Sequence, residues 1–461
     1  MQQIWETEKI PEDWSRGMII KIPKKGDLSV CDNWRGITLL SVPSKIFCKI
    51  ILSRIDEEID LKLREEQAGF RKNRGCIDQI ITLRNIIEQS AEWNEQLHIN
   101  YVDFRKAFDS VHRPSIWKIL KAYGIPDKII NLIKLFYEKY ECSVVAENNL
   151  TDWFIVRTGV RQGSILSPIL FFITIDWVLR KTYNEAKGIQ WKINSHLEDL
   201  DFADDLALLS RLLKDLQTKT TRLETFAKQV GLRINIGKTK TMHMPGPPNT
   251  PIRVENQEIE AVDDFTYLGS VISPDNGAEK DIKSRLAKAK GAFAMLRPIW
   301  RSKQYNRKTK LKIFKSNVLS VLLYGAECWR MTETDLNKLE TFQNKCLRQI
   351  HGIYYPNMIS NVELHERSGV VSMEKTITKR RLKLVGHIMR MQPERAPKIA
   401  LRWTPSQGRR NRGRPKITWR RTVEKDLLKL GGGRGLTWGE ASALAQDRRK
   451  WRILLRPLAP P

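Results

Sequence analysis

Apolar residues recur at intervals of three and four over residues 44–63 and 77–93, the spacing that gives a helix one buried stripe. Short β-type runs, 18–22 and 37–40, precede them, and two basic glycine-containing loops, Lys24-Lys25-Gly26 and 71–75, lie between. From residue 98 strand-like runs alternate with helices. The pattern predicts a strand at 98–103, helices from about Pro114 and Pro126, and strands near 142–146 and 153–157. A helix over 167–184, an apolar run broken by two aspartates at 200–209 and an amphipathic helix over 212–230 follow. This is an α+β order, not a regular βαβα repeat.

After the turn cluster Ser273-Pro274-Asp275-Asn276-Gly277 the chain reads helical over 278–296, 307–323 and 334–350, so a domain boundary is expected at that cluster. A second shift comes at 393–415, rich in Arg, Gly and Pro, before a terminal basic helix pair.

Length and composition narrow the picture. At 461 residues, 41% hydrophobic and 29% charged, the chain is neither a disordered tail nor a membrane bundle. Its longest mostly apolar stretch, 318–326, falls short of the roughly 18 residues a bilayer span needs, and no signal-peptide pattern opens the chain. A soluble, intracellular protein without membrane contact is expected. Eighty Lys and Arg against 52 Asp and Glu give a net charge of +28, of which +18 sits in residues 371–461. That asymmetry suits a polyanion, because neutralised phosphates release counterions; a merely soluble basic surface is the plainer alternative. The six cysteines form no C-x-x-C pair, which argues against a structural zinc.

The candidate chemistry lies in acids. In Leu200-Asp201-Phe202-Ala203-Asp204-Asp205-Leu206 two apolar arms flank adjacent aspartates, as a hairpin with its acids at the turn requires. Such a pair is costly unless a cation is held there, although an ordinary polar turn would also accept Asp. Asp103 ends the strand-like run 98–103. If Asp103 and Asp204 come from neighbouring strands, they could share two hard cations about 3.5 to 4 Å apart. Asp109 reads as a helix-start cap rather than a ligand.

With these residues in view, the chain resembles a reverse transcriptase of the non-LTR (LINE-type) retrotransposon class over roughly residues 10–275. Seven short motifs stand in family order: Ile22-Pro23-Lys24 with Asn33-Trp34-Arg35-Gly36-Ile37; Gln67-Ala68-Gly69-Phe70-Arg71; Asp103 to Phe108 as motif A; Gly159-Val160-Arg161-Gln162-Gly163-Ser164 with Leu166-Ser167-Pro168 as motif B; Phe202-Ala203-Asp204-Asp205 as motif C; Gly231-Leu232 to Lys238-Thr239 as motif D; and Phe265-Thr266-Tyr267-Leu268-Gly269.

The resemblance implies a right-hand polymerase whose palm is an antiparallel sheet packed on helices. Fingers would occupy 1–100, palm 101–274 with a finger insertion near 140–165, a helical thumb 275–365, and a basic nucleic-acid-binding extension 366–461. It implies RNA-directed DNA synthesis: an RNA template, a DNA primer, dNTPs, and two Mg²⁺ ions, with Mn²⁺ as a substitute, held by Asp103 and Asp204 with Asp205 nearby. Lys24 and Arg35 would meet the triphosphate, Gln162 and Gly163 would border the nascent pair, and Phe104 would be a further substrate-binding residue. Phe108 would be the steric gate against ribonucleotides, and Lys238 would protonate or stabilise the pyrophosphate. Arg71 and Arg161 are assigned to nucleic acid, as are Arg412 and Arg414, since Arg412-Gly413-Arg414-Pro415 resembles an AT-hook core; a linker is the plainer reading of that segment.

The chain departs from the family in three ways. It begins almost at the fingers, so a nuclease is expected to be lost or supplied by another chain. Cys76 follows Gly75 where relatives carry a small hydroxyl residue, and no zinc knuckle follows. A catalytically inactive RNA- or DNA-binding remnant is the alternative, and the nucleus is a plausible location.

Overall fold

The computed structural model describes residues 1–461 except 25, 147–148, 193–194, 247–249, 276, 411, 414–415, 431–433 and 459–461. The chain forms two compact units. The first comprises residues 1–75, 98–241 and 248–261, the second 76–97, 242–247 and 262–461.

A five-stranded sheet that belongs mostly to the first unit holds Leu97–Val102 at its centre between Lys240–Met244 and Asp205–Ser210, with Asp199–Phe202 and Glu260–Ala261 outermost. All six residues of Leu97–Val102 are buried, as a central strand covered on both faces requires. Behind the sheet pack Ser167–Thr182, in which eleven residues are buried, and the amphipathic Leu213–Gln229. Phe47, Ile51, Ile133, Phe136, Phe171, Leu206 and Leu223 belong to the same core. A second sheet pairs Trp34–Leu39 antiparallel with Arg16–Pro23, and Arg16–Pro23 parallel with Glu141–Ala146.

The second unit is helical. Glu279–Met295 and Glu333–His351 share a core around Phe314, Val318 and Trp329. Met373–Met389, Trp419–Leu428 and Trp438–Gln446 form another core with Ile80 and Ile81. Those isoleucines come from Cys76–Glu92, which the sequence assigns to the fingers but which is grouped here with the C-terminal helices. Every residue from Asp78 to Ser90 is buried, so a helix read as having one apolar stripe is enclosed on all sides. Its polar groups are paired accordingly: Arg84 with Asp281 at 3.1 Å, and Glu88 Oε2 with the Trp419 amide at 2.8 Å.

The C-terminal tryptophans are core residues: Trp403, Trp419 and Trp451 are each at most 9% exposed. Several arginines of this strongly basic region serve the fold. Arg380 donates to Leu323 O at 2.8 Å, Arg420 to Ala400 O at 2.8 Å, and Arg421 meets Glu92 at 2.7 Å. Arg381 is buried against Asp426. Arg412 is exposed, and Arg414 lies outside the described residues. No helix among the described residues is long and apolar enough to cross a membrane.

Candidate active site

Asp199–Phe202 and Asp205–Ser210 pair antiparallel with Phe202 opposite Asp205, so Ala203 and Asp204 form a two-residue turn. Ala203 has φ +64°, in the left-handed region that a non-glycine residue enters only when its surroundings fix it there. The second strand of this hairpin pairs with Leu97–Val102, Leu206 opposite Val102. One step further along that register brings Asp103 beside Asp205. Two segments a hundred residues apart thus deliver three carboxylates to one sheet end.

Their charges act on one another. Desolvation raises the Asp204 carboxyl, its own amide lowers it, Asp103 raises it further, and Arg35 and Lys238 oppose that rise. Asp205 is pushed up to about 6 by desolvation, then by Asp204 and Asp103. Asp103 Oδ2 is shielded from solvent and accepts no hydrogen bond, with Lys238 Nζ at 3.5 Å. Its backbone is held by the 235–239 turn: Asn235 N donates to Asp103 O at 2.8 Å, and Asp103 N to Thr239 Oγ1 at 3.3 Å. Among the described residues no three His, Cys, Asp or Glu side chains close into a ready metal cluster. The donor set nevertheless fits a hard divalent cation: carboxylate oxygens, one without a hydrogen bond, on acids that repel one another until a positive charge lies between them.

Around these acids, Arg35 is exposed on Trp34–Leu39 and Lys24 donates to Asp32 O at 3.1 Å. Gln162 O accepts from Thr38 N at 2.7 Å, and its Nε2 donates to Asp109 Oδ1 at 2.8 Å. Asp109 is therefore a partner of Gln162 and not the helix cap expected; His112 occupies the cap position of Arg113–Ala122. Gly163 has φ +118°, and a Cβ there would lie 2.3 Å from Thr38 O, so only glycine fits. Phe108 is half-buried, its ring stacked on Phe171.

Three assigned residues are corrected. Phe104 is 4% exposed in the core, because alternation along an extended chain turns Val102 and Phe104 inward when Asp103 faces out. Arg71 is a buried clamp, donating to Asp60 O at 2.8 Å and Arg64 O at 2.7 Å. Arg161 is buried, donating to Trp14 O at 2.8 Å with its guanidinium 4.3 Å over the Tyr140 ring. Neither arginine offers a free head to phosphate.

Sequence reasoning missed Arg64 and Gln67. Arg64 holds Asp199 through two bonds, at 2.8 and 3.0 Å, and Asp201 at 2.9 Å, while its amide donates to Asp176. The signal was available, since Asp199 and Asp201 alternate about Leu200 and so point to the same side of a buried strand, where they need a cation.

The family described as reverse transcriptase (RNA-dependent DNA polymerase) matches residues 22–272, more than half of the chain, and a domain of unknown function (DUF6451) matches 292–324. A probable RNA-directed DNA polymerase from transposon BS of Drosophila melanogaster is 24% identical over 82% of this chain and 42% of its own length. A Pol polyprotein from the type-1 retrotransposable element R2 of Popillia japonica is 28% identical over 76% of this chain and 49% of its own. The chain thus spans less than half of either relative. Among solved structures, apo telomerase from Candida Tropicalis superposes with a TM-score of 0.44 at 13% identity, covering 87% of this chain and 71% of that one. With the matched region holding both carboxylate segments, the chain belongs to the reverse transcriptase family, in its non-LTR, LINE-type branch.

Proposed function

We propose that the protein is an RNA-directed DNA polymerase that extends a primer 3′ end on an RNA template with dNTPs. The observation that carries this reading is the meeting of Asp103 with Asp204 and Asp205 at one sheet end, in a chain of this family.

In the reaction the primer 3′ oxygen bonds to the α-phosphorus, the bond from that phosphorus to the bridging oxygen breaks, and pyrophosphate leaves. The hydroxyl proton passes to solvent. Asp103 and Asp204 would hold two divalent ions of the kind the family uses, with Asp205 adjoining. When bound, these ions favour the ionised hydroxyl and the charge of the departing pyrophosphate. Lys238, exposed beside Asp103, donates a proton to the pyrophosphate. Arg35 and Lys24 draw the triphosphate toward the acids by charge. Gln162 and Gly163 border the nascent pair, their backbone held against Thr38.

Primer extension on an RNA template, with dNTPs or rNTPs and with or without Mg²⁺, tests the reading. Incorporation that needs Mg²⁺ and stops in Asp204→Ala supports it. Salt-sensitive RNA binding without incorporation would instead identify a binding remnant.

A further inference from the structure

We propose that Gln67 is a positioning residue for the catalytic acids, fixing the backbone of the turn that presents Asp204. Residues 67–70 run beside the hairpin: Gln67 forms an isolated parallel bridge with Asp201, and Ala68 N donates to Asp201 O at 3.1 Å. The buried Gln67 side chain then reaches three groups. Its Oε1 accepts from Gly69 N at 2.6 Å and from Ala203 N at 3.5 Å, and its Nε2 donates to Asp201 Oδ2 at 3.4 Å.

Ala203 is the residue with φ +64°, one position before Asp204. Gly69 closes the same contact from the other side, since a Cβ there would lie 2.6 Å from Ala203 N. Phe70 caps the arrangement, its ring 6.4 Å from that of Phe202 and 5.4 Å from that of Phe172. A buried amide with one acceptor and one donor thus ties a left-handed alanine to the hairpin strand, and the direction of the Asp204 carboxylate follows from that tie. Gln67 touches no substrate; it acts through the turn.

The activity arm of the test rests on the polymerase reading, so a second readout is independent of it. Mn²⁺ binding to the full chain is measured by EPR of the free ion for wild type, Gln67→Met, Gln67→Glu and Gly69→Ala, with melting curves to establish folding. Gln67→Met is expected to weaken Mn²⁺ binding about tenfold and to raise the Mg²⁺ needed for half-maximal extension by about the same factor. Turnover at saturating Mg²⁺ should stay within about threefold. Gln67→Glu keeps the acceptor for both amides but loses the donor to Asp201 Oδ2 and sets a second carboxyl against it, so it is expected to recover only part of the affinity, whereas Gly69→Ala behaves like Gln67→Met. Folded Gln67→Met and Gly69→Ala proteins that bind Mn²⁺ as wild type would overturn the proposal, as would a Gln67→Met loss of extension equal at every Mg²⁺ concentration. If Gln67→Met does not fold, wild-type Mn²⁺ affinity in Gly69→Ala still overturns it. Wild type that binds Mn²⁺ but extends no primer defeats the polymerase reading alone, and the Mn²⁺ comparison still decides for or against Gln67.

Discussion

The ring of Phe108 stacks on that of Phe171, centroids 4.5 Å apart and planes 18° from parallel. Phe171 is fully buried, so the ring above it is braced from behind and cannot swing inward. In the polymerase proposed above this braced ring would stand at the sugar of the incoming nucleotide and exclude a 2′-hydroxyl by volume. Phe108→Val should therefore lower the preference for dNTPs over rNTPs by roughly 10- to 100-fold, read as the ratio of kcat/KM values, with extension from dNTPs largely retained.

Asp204→Asn should reduce extension by about a thousandfold or more without lowering Tm, because it removes one of three mutually repelling charges. The same repulsion sets a pH dependence. Asp205 titrates near 6, above its ordinary value, so the stability it contributes is complete below about 4 and lost as pH rises through about 6. In EDTA, Tm should fall over that window in wild type and less in Asp205→Asn; added Mg²⁺ should reverse the fall.

Glu88 offers a second titration, in the other unit. Burial pushes its carboxyl up to about 7, against the Trp419 amide, Arg330 and Arg420, which lower it. Its contribution to stability is present below about 4.5 and lost as pH rises through about 7, a loss on the order of 3 kcal/mol. Glu88→Gln keeps an acceptor for the Trp419 amide. Denaturant melts should find the variant near wild type at pH 5 and more stable at pH 8.5.

Arg381 and Asp426 are both buried and hydrogen-bonded to each other. Arg381→Met leaves the carboxylate without its partner and should cost about 3 to 5 kcal/mol in urea unfolding, while Arg381→Met with Asp426→Leu should recover most of that.

The elements around the acids were legible because each carries a local signal. An apolar run broken by two aspartates marked the Asp199–Phe202 and Asp205–Ser210 hairpin, and spacing marked Ser167–Thr182 and Leu213–Gln229. Local signals fail where a side chain's partner is distant. An arginine reads as a phosphate contact whether it faces solvent or, like Arg161, is buried with one donor on Trp14 O across 147 positions. Phe104 was misread although period-two alternation from Asp103 would have turned it inward. Gln67 gave no sign of its task, because an amide's worth depends on which backbone groups come to lie around it.

The enclosure of Cys76–Glu92 has a consequence for synthesis. Its Glu88 awaits Trp419, 331 positions later. At about 5 to 20 residues per second, a ribosome takes roughly 17 to 66 s to deliver that partner. Until that last partner emerges, a helix with Ile80, Ile81, Leu83, Ile86 and Ile87 destined for the interior lacks its full cover on the nascent chain, which leaves it open to chaperone capture or to self-association.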